Sequence, residues 1–151
     1  MSKLAEVSNR FFDSIRRADA GRAAEGEPGA HGFGHLAGHR YCLVVSYRRS
    51  GEPVATPVWF GVDHEGRLYF RSYSNAAKLS RIARDPNVRI APCSVRGKPL
   101  GPAAAGTARV LDAQDEEHAE ATIQSNYGLF RRTYESTAGD APARYVEVTP
   151  A

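Results

Sequence analysis

Cysteine is scarce in this chain: Cys42 and Cys93 are its two, in 151 residues. No CxxC and no other metal-ligand spacing includes them, which argues against a zinc ribbon or a thioredoxin-like redox centre and suits a reducing compartment. Both read as buried core thiols. Lysine is nearly as rare, with Lys3, Lys78 and Lys98 against seventeen arginines. That preference, together with abundant alanine, is the habit of a GC-rich, actinobacterial type of genome. No apolar run approaches the ~18 residues of a membrane span. The first residues mix Lys3, Arg10, Arg16 and Arg17 with Glu6 and Asp13 and hold no apolar stretch before a small-residue cleavage site. No targeting signal and no membrane association are expected, and the expected location is the cytoplasm. The chain also lacks a GxGxxG or GKS loop and a nucleophile elbow, which argues against P-loop and Ser/His/Asp hydrolase chemistry.

A net charge of +3 spread over interleaved acids and bases fits a small anionic ligand as well as a nucleic acid, and no nucleic-acid partner is expected. With 42% hydrophobic and 25% charged residues the chain is ordinary for one globular domain. A chain of this size buries roughly two-thirds of its unfolded surface in a single core. Leu4, Val7, Phe11 and Ile15 recur at helical spacing, so residues 3–18 are predicted as an amphipathic helix that packs on a core or a partner. Residues 19–39 are rich in glycine and show no period, which predicts a flexible loop or lid. Residues 1–39, a helix and a glycine-rich loop, thus precede the body of the chain over 40–151, the whole forming one domain.

From residue 41 the period changes to that of strands, over 41–48, 53–62, 67–73 and 87–94, with further runs at 103–112 and in the closing "ARYVEVTP". "RSGE" and "DHEG" carry turn chemistry, so the first three strands should form an antiparallel meander. A helix is predicted over "AAKLSRIARD", capped by Ser74 or Asn75 and stopped by Asp85-Pro86. Another begins near Asp112 or Gln114, with Ile123, Tyr127, Phe130 and Tyr134 on its apolar face. Short strands with tight connections and two or three helices predict a small closed or split β-barrel with helices at its rim.

Lys78 lies one turn into the first of these helices, inside "RSYSNAAKLSRIARDPNVRI". The unpaired N–H groups of a helix start favour an anion, and Ser72, Ser74, Lys78 and Arg81 would surround it. A solvated basic face with a good cap is the plainer reading of the same spacing. His31, His35 and His39 fall at intervals of four, yet the glycines among them argue against a helix that would align three imidazoles on a metal. Trp59, within "VATPVWFGV", could be barrel core. Pro53 and Pro57 imply an edge or a bulge there, where a ligand can approach backbone.

The stretch "GEPVATPVWFGVDHEGRLYFRSYSNAAKLSRIARDPNVRIAPCSVRGKPLGPAAAGTARVL" resembles the pyridoxamine 5'-phosphate oxidase-like split β-barrels, in particular their branch of deazaflavin (coenzyme F-420)-dependent oxidoreductases. The resemblance spans residues 40–149 and rests on "TPVWF", "AAKLSRIARDPNVRIAPC" and "RGKPLG" together. It implies a mainly β fold, a six-stranded antiparallel split barrel, and a homodimer with cofactor sites at the subunit interface. By the same resemblance Thr56, Pro57, Val58, Trp59 and Phe60 would lie along the cofactor ring, and Ser72, Lys78 and Arg81 would hold its phosphate, with Ser74 beside them from the helix-start reading. Cys93, Arg96 and Gly97 would approach the ring or its acidic tail from the partner. The expected cofactor is F-420, with FMN on the same barrel as the alternative, and the expected activity is hydride transfer to an enone- or quinone-like small molecule, as in finishing steps of tetracycline-type polyketides. Tyr127, Tyr73 or water could supply the proton, with packing on the helix face as the plainer reading of Tyr127. A flavin- or haem-binding module without turnover is the reading from another class. The chain lacks the Arg-x-His substrate motif of the vitamin B6 oxidases, so that activity is not expected.

Overall fold

The computed structural model describes residues 23–24, 26–127 and 142–151. The helix predicted over residues 3–18, and Phe130 and Tyr134, lie outside the described residues. Six strands follow in chain order: β1 (Tyr41–Tyr47), β2 (Pro53–Val62), β3 (Leu68–Tyr73), β4 (Asn87–Cys93), β5 (Ala104–Val110) and β6 (Ala143–Pro150). Among the described residues two α-helices interrupt them, α1 (Ala77–Arg84) between β3 and β4 and α2 (Glu116–Ser125) between β5 and β6. Each strand lies within two residues of its predicted span. All pairings are antiparallel and the sheet closes on itself in the order β1-β2-β3-β6-β5-β4.

The hairpins form where the turn chemistry predicts them. Gly51 and Gly66 both adopt positive φ, +89° and +81°, a region that costs glycine nothing and other residues a steric clash. Inside the barrel, alternate residues such as Val44, Phe60, Phe70, Ile90 and Val148 share one apolar cluster. β5 is built of small residues because the barrel is tight beside it: a Cβ on Gly106 would stand 2.6 Å from Val148 Cγ1. β1 is buried on both faces from Cys42 to Ser46, since Ala23 and Ala103 pack with Leu43 and Val45 on the outer side.

Each end of the barrel has its own plug. α1 seats Leu79 and Ile82 in the core at the end where β1 and β3 finish. At the other end a short 3-10 turn, Gly34–Leu36, inserts Leu36 and its neighbour Phe33. Within the described part of the glycine-rich stretch, Phe33 and Leu36 are the two residues that reach the barrel core. α1 also departs from expectation at its start. Ala76, not Ser74 or Asn75, is the N-cap, with no side-chain cap bond, because a Tyr73–Ala76 turn uses up the two polar residues first.

Candidate functional site

β2 holds seven residue pairs with β1 but only three with β3, Phe60↔Phe70, Gly61↔Tyr69 and Val62↔Leu68. Above Phe60 the two strands part, and Thr56–Trp59 on one side faces Arg71–Tyr73 on the other. Pro53 and Pro57 belong to this opening. Each lacks an N–H, and as residues four apart they weaken the same edge of β2, which is the kind of edge a neighbouring strand leaves unpaired.

α1 crosses the barrel end above this split. Lys78 Nζ lies 3.3 Å from Ser72 Oγ of β3, Arg81 Nε donates to Ser46 Oγ of β1 at 2.8 Å, and the Arg84 guanidinium donates to the Tyr47 carbonyl. β2 lies between β1 and β3 in the barrel, so the three cations form a ridge from one side of the split to the other. Ser46 and Ser72 are 1% and 5% exposed, hydroxyls held in fixed positions beneath that ridge. Burial pushes the Arg81 guanidinium below its ordinary pKa, and the neighbouring Arg48 and Arg84 charges push it further the same way. Arg48 has the Glu52 carboxylate 3.9 Å away, whereas Arg81 and Arg84 with Lys78 beside them make a field that a further anion would relieve. Tyr73, 56% exposed, stands at the same end on the last residue of β3.

The ring-facing strand contributes unequally. Thr56, Pro57 and Trp59 are half-buried, whereas Val58 turns its side chain into the barrel core and can offer a ligand only backbone. Ser74 is exposed and its N–H donates to the Pro142 carbonyl, so the group around Lys78 has Ser46 where the sequence reading has Ser74. Cys93, Arg96 and Gly97 lie at the opposite end of the barrel, where Cys93 pairs with Tyr41. Cys93 is buried on the outer face, and Gly97 closes the loop with φ +85° and an N–H to the Ser94 carbonyl. Within one chain this loop does not meet Lys78. Lys98 and Arg89 instead line a cleft of about 400 Å³ together with Glu27 and Pro102, away from the split.

Tyr127 is 3% exposed, with its hydroxyl 2.6 Å from Phe60 N and 2.9 Å from the Arg40 carbonyl. Burial raises its pKa well above the ordinary tyrosine value. Its proton is held by a carbonyl, and the residue does not reach an open surface. His35 Nε2 lies 2.9 Å from the Pro102 carbonyl, a contact that ties the 3-10 turn to the β4–β5 loop.

Sequence reasoning missed Ser46, Arg48 and Arg84. Ser46 left a signal: it is the one polar residue at an inward position of "YCLVVSY". The two arginines left none, because their meeting depends on α1 folding back over β1.

A family model described as pyridoxamine 5'-phosphate oxidase matches residues 34–151. No curated protein matches the chain. Among solved structures, an F420 reductase is 18% identical, with 83% of this chain and 96% of that one covered and a TM-score of 0.50. A FAD-binding protein from Mesorhizobium loti is 14% identical over 76% of this chain and 82% of its own, with a TM-score of 0.52. HutZ, a haem storage protein from Vibrio cholerae, is 12% identical over 76% and 83%, with a TM-score of 0.56. At such identities these likenesses are likenesses of fold.

Proposed function

The chain belongs to the pyridoxamine 5'-phosphate oxidase family, and on that premise we propose that it is an oxidoreductase that holds F-420, or FMN as the alternative, in the split between β2 and β3. The observation that carries this reading is the cationic ridge at the mouth of the split, with Lys78 and Arg81 set over the buried hydroxyls of Ser72 and Ser46. A phosphate fits such a place: two cations, each held in position by a buried hydroxyl, offer charge-assisted hydrogen bonds. A flat ring fits the split itself, whose wall is the backbone of Thr56–Trp59 with the Trp59 and Pro57 side chains beside it.

Bound there, the cofactor would supply the hydride. The work of this chain is to position. Lys78 and Arg81, steadied from beneath by the Ser72 and Ser46 hydroxyls, anchor the phosphate end, and the β2 edge sets the ring plane. An acceptor held about 3–3.5 Å from the reactive carbon gains most of its rate advantage from proximity. A proton must then reach the reduced acceptor. Tyr73 is the tyrosine suited to give it, being exposed at the mouth of the split, whereas the Tyr127 hydroxyl is committed to the Arg40 carbonyl. We assign the acceptor to small molecules with an enone- or quinone-like double bond. The complete site is proposed to lie between two copies of the chain, so that Cys93, Arg96 and Gly97 of the second copy come to the ring end. The proposed place of action is the cytoplasm; no helix among the described residues is long and apolar enough to cross a membrane.

Reconstitution tests the cofactor directly. Purified protein incubated with F-420, FMN or haem and freed of excess ligand should retain absorbance near 420 nm for the deazaflavin. Retention of a haem Soret band alone would favour a storage module of the kind HutZ represents. Retention of FMN and not F-420 would move the activity to the alternative cofactor.

A further inference from the structure

Tyr127 and its neighbour Asn126 make contacts that go beyond filling space. The β1–β2 ladder ends at Tyr41↔Trp59, and one step further stand Arg40 and Phe60. A hydroxyl lies between these two: Phe60 N–H donates to Tyr127 Oη at 2.6 Å, and Tyr127 O–H donates to the Arg40 carbonyl at 2.9 Å. A phenolic hydroxyl can accept and donate at once, so it serves as a rung between two backbones that are held further apart than a direct bond would hold them. Asn126 Nδ2 adds bonds to the Phe60 carbonyl at 3.1 Å and the His39 carbonyl at 3.2 Å. The Tyr127 ring meets Trp59 edge-on with centroids 4.7 Å apart. One residue on, a Cβ at Gly61 would stand 2.1 Å from the Thr122 carbonyl, so α2 is pressed against β2 backbone to backbone. Three consecutive residues of β2 are thus gripped from α2 and the turn after it. They sit where β2 leaves β3, since Phe60↔Phe70 is the last pair before the split opens.

We infer that Tyr127 is a positioning residue for the proposed cofactor site: its hydroxyl rung at the apex of the split sets where the Thr56–Trp59 edge and the Trp59 ring stand. The inference rests on the cofactor reading above, and deepens it by naming what holds the ring wall in place. Without the hydroxyl, Phe60 N–H and the Arg40 carbonyl are left facing each other and can close to a direct rung, which draws β2 towards β1 and widens the split. A tyrosine that only packs would depend on its ring and not on its oxygen.

Trp59 is the one tryptophan of the chain, so its emission reports this position without a label. The experiment compares wild type, Tyr127→Phe and Tyr127→Leu, first without cofactor by Trp59 emission and then by titration with FMN and with F-420, all normalised to the folded fraction. Tyr127→Phe should shift the emission maximum and weaken binding about tenfold, while Lys78→Ala weakens binding and leaves the emission where it was. Tyr127→Leu should do the same more strongly; if it does not fold, Tyr127→Phe, which keeps the ring, carries the test. A Tyr127→Phe protein with wild-type emission and wild-type affinity overturns the positioning role and leaves the cofactor reading standing. Wild type that binds neither FMN nor F-420 overturns the cofactor reading, and the role with it.

Discussion

Lys78 has a measurable part in the proposed site. A charge-assisted hydrogen bond from its ammonium to a phosphate is worth about 1.5–3 kcal/mol, so Lys78→Ala should weaken cofactor binding about tenfold to a hundredfold. Its effect on folding should be small, because the side chain is half-exposed and its partner Ser72 keeps its place in β3. Lys78→Arg should recover part of the loss, since a planar fork does not reproduce a compact ammonium over one hydroxyl. Fluorescence titration of the three proteins at one salt concentration decides: equal affinities would make Lys78 a surface lysine and put the phosphate elsewhere. The residue itself was legible in the sequence as a rare lysine at a helix start. Its partner Ser46-Arg81 pair was not, because a serine in an apolar strand and an arginine thirty-odd positions later show no local periodicity that joins them.

At the scale of elements, α2 depends on two contacts with the β2–β3 hairpin. Gly61 admits the Thr122 carbonyl so closely that an added methyl has to push backbone rather than a side chain. Gly61→Ala should therefore cost about 2–3 kcal/mol, lowering Tm by about 5–10 °C; a Tm within a degree of wild type would show that α2 can give way. The second contact is Asp63, at the head of the turn, whose carboxylate accepts N–H bonds from Glu65 and Arg67 and lies 3.2 Å from His118 Nε2 of α2. Burial alone would raise its pKa, but the Arg67 N–H, the His118 imidazole and the Glu65 N–H outweigh burial and leave the carboxyl below its ordinary value. A folded-state pKa below the unfolded one means that the stabilisation is present above the ordinary carboxylate range and is lost as pH falls through the folded value. Thermal melts of wild type and Asp63→Asn should differ at neutral pH and converge in acid. A constant gap at every pH would assign the difference to the amide itself rather than to the charge.

The whole molecule raises the question of partners. The proposed site is complete only if a second copy brings its Cys93–Gly97 loop to the ring, because in one chain that loop and Lys78 occupy opposite ends of the barrel. Sedimentation velocity should find a dimer at micromolar concentration with cofactor bound, burying about 1,600 Å² or more in total; a cofactor-loaded monomer would overturn the two-copy site. The acidic tail of F-420 should also find cations that FMN cannot use. Arg71, Arg96 and Lys98 are the candidates, so added salt should weaken F-420 binding more steeply than FMN binding. Equal salt slopes would mean that the phosphate is the only anion the protein reads.

The sequence by itself determined the strands, their hairpins and the kind of barrel they make, because period, turn residues and proline act over a few positions and survive any packing. It also determined which residues were worth questioning: Lys78 for its scarcity, and Pro53 and Pro57 for the donors they lack. Only the tertiary structure decided how α1 lies over the barrel, and so which hydroxyls stand under Lys78 and Arg81. It alone turned Val58 inwards, passed the capping position from Ser74 to Ala76, and put the Tyr127 hydroxyl between two strands. Each of these is a contact between residues far apart in the chain, or a competition between a turn and a helix for the same few residues. Such outcomes depend on where whole elements come to rest, and local pattern carries no record of that.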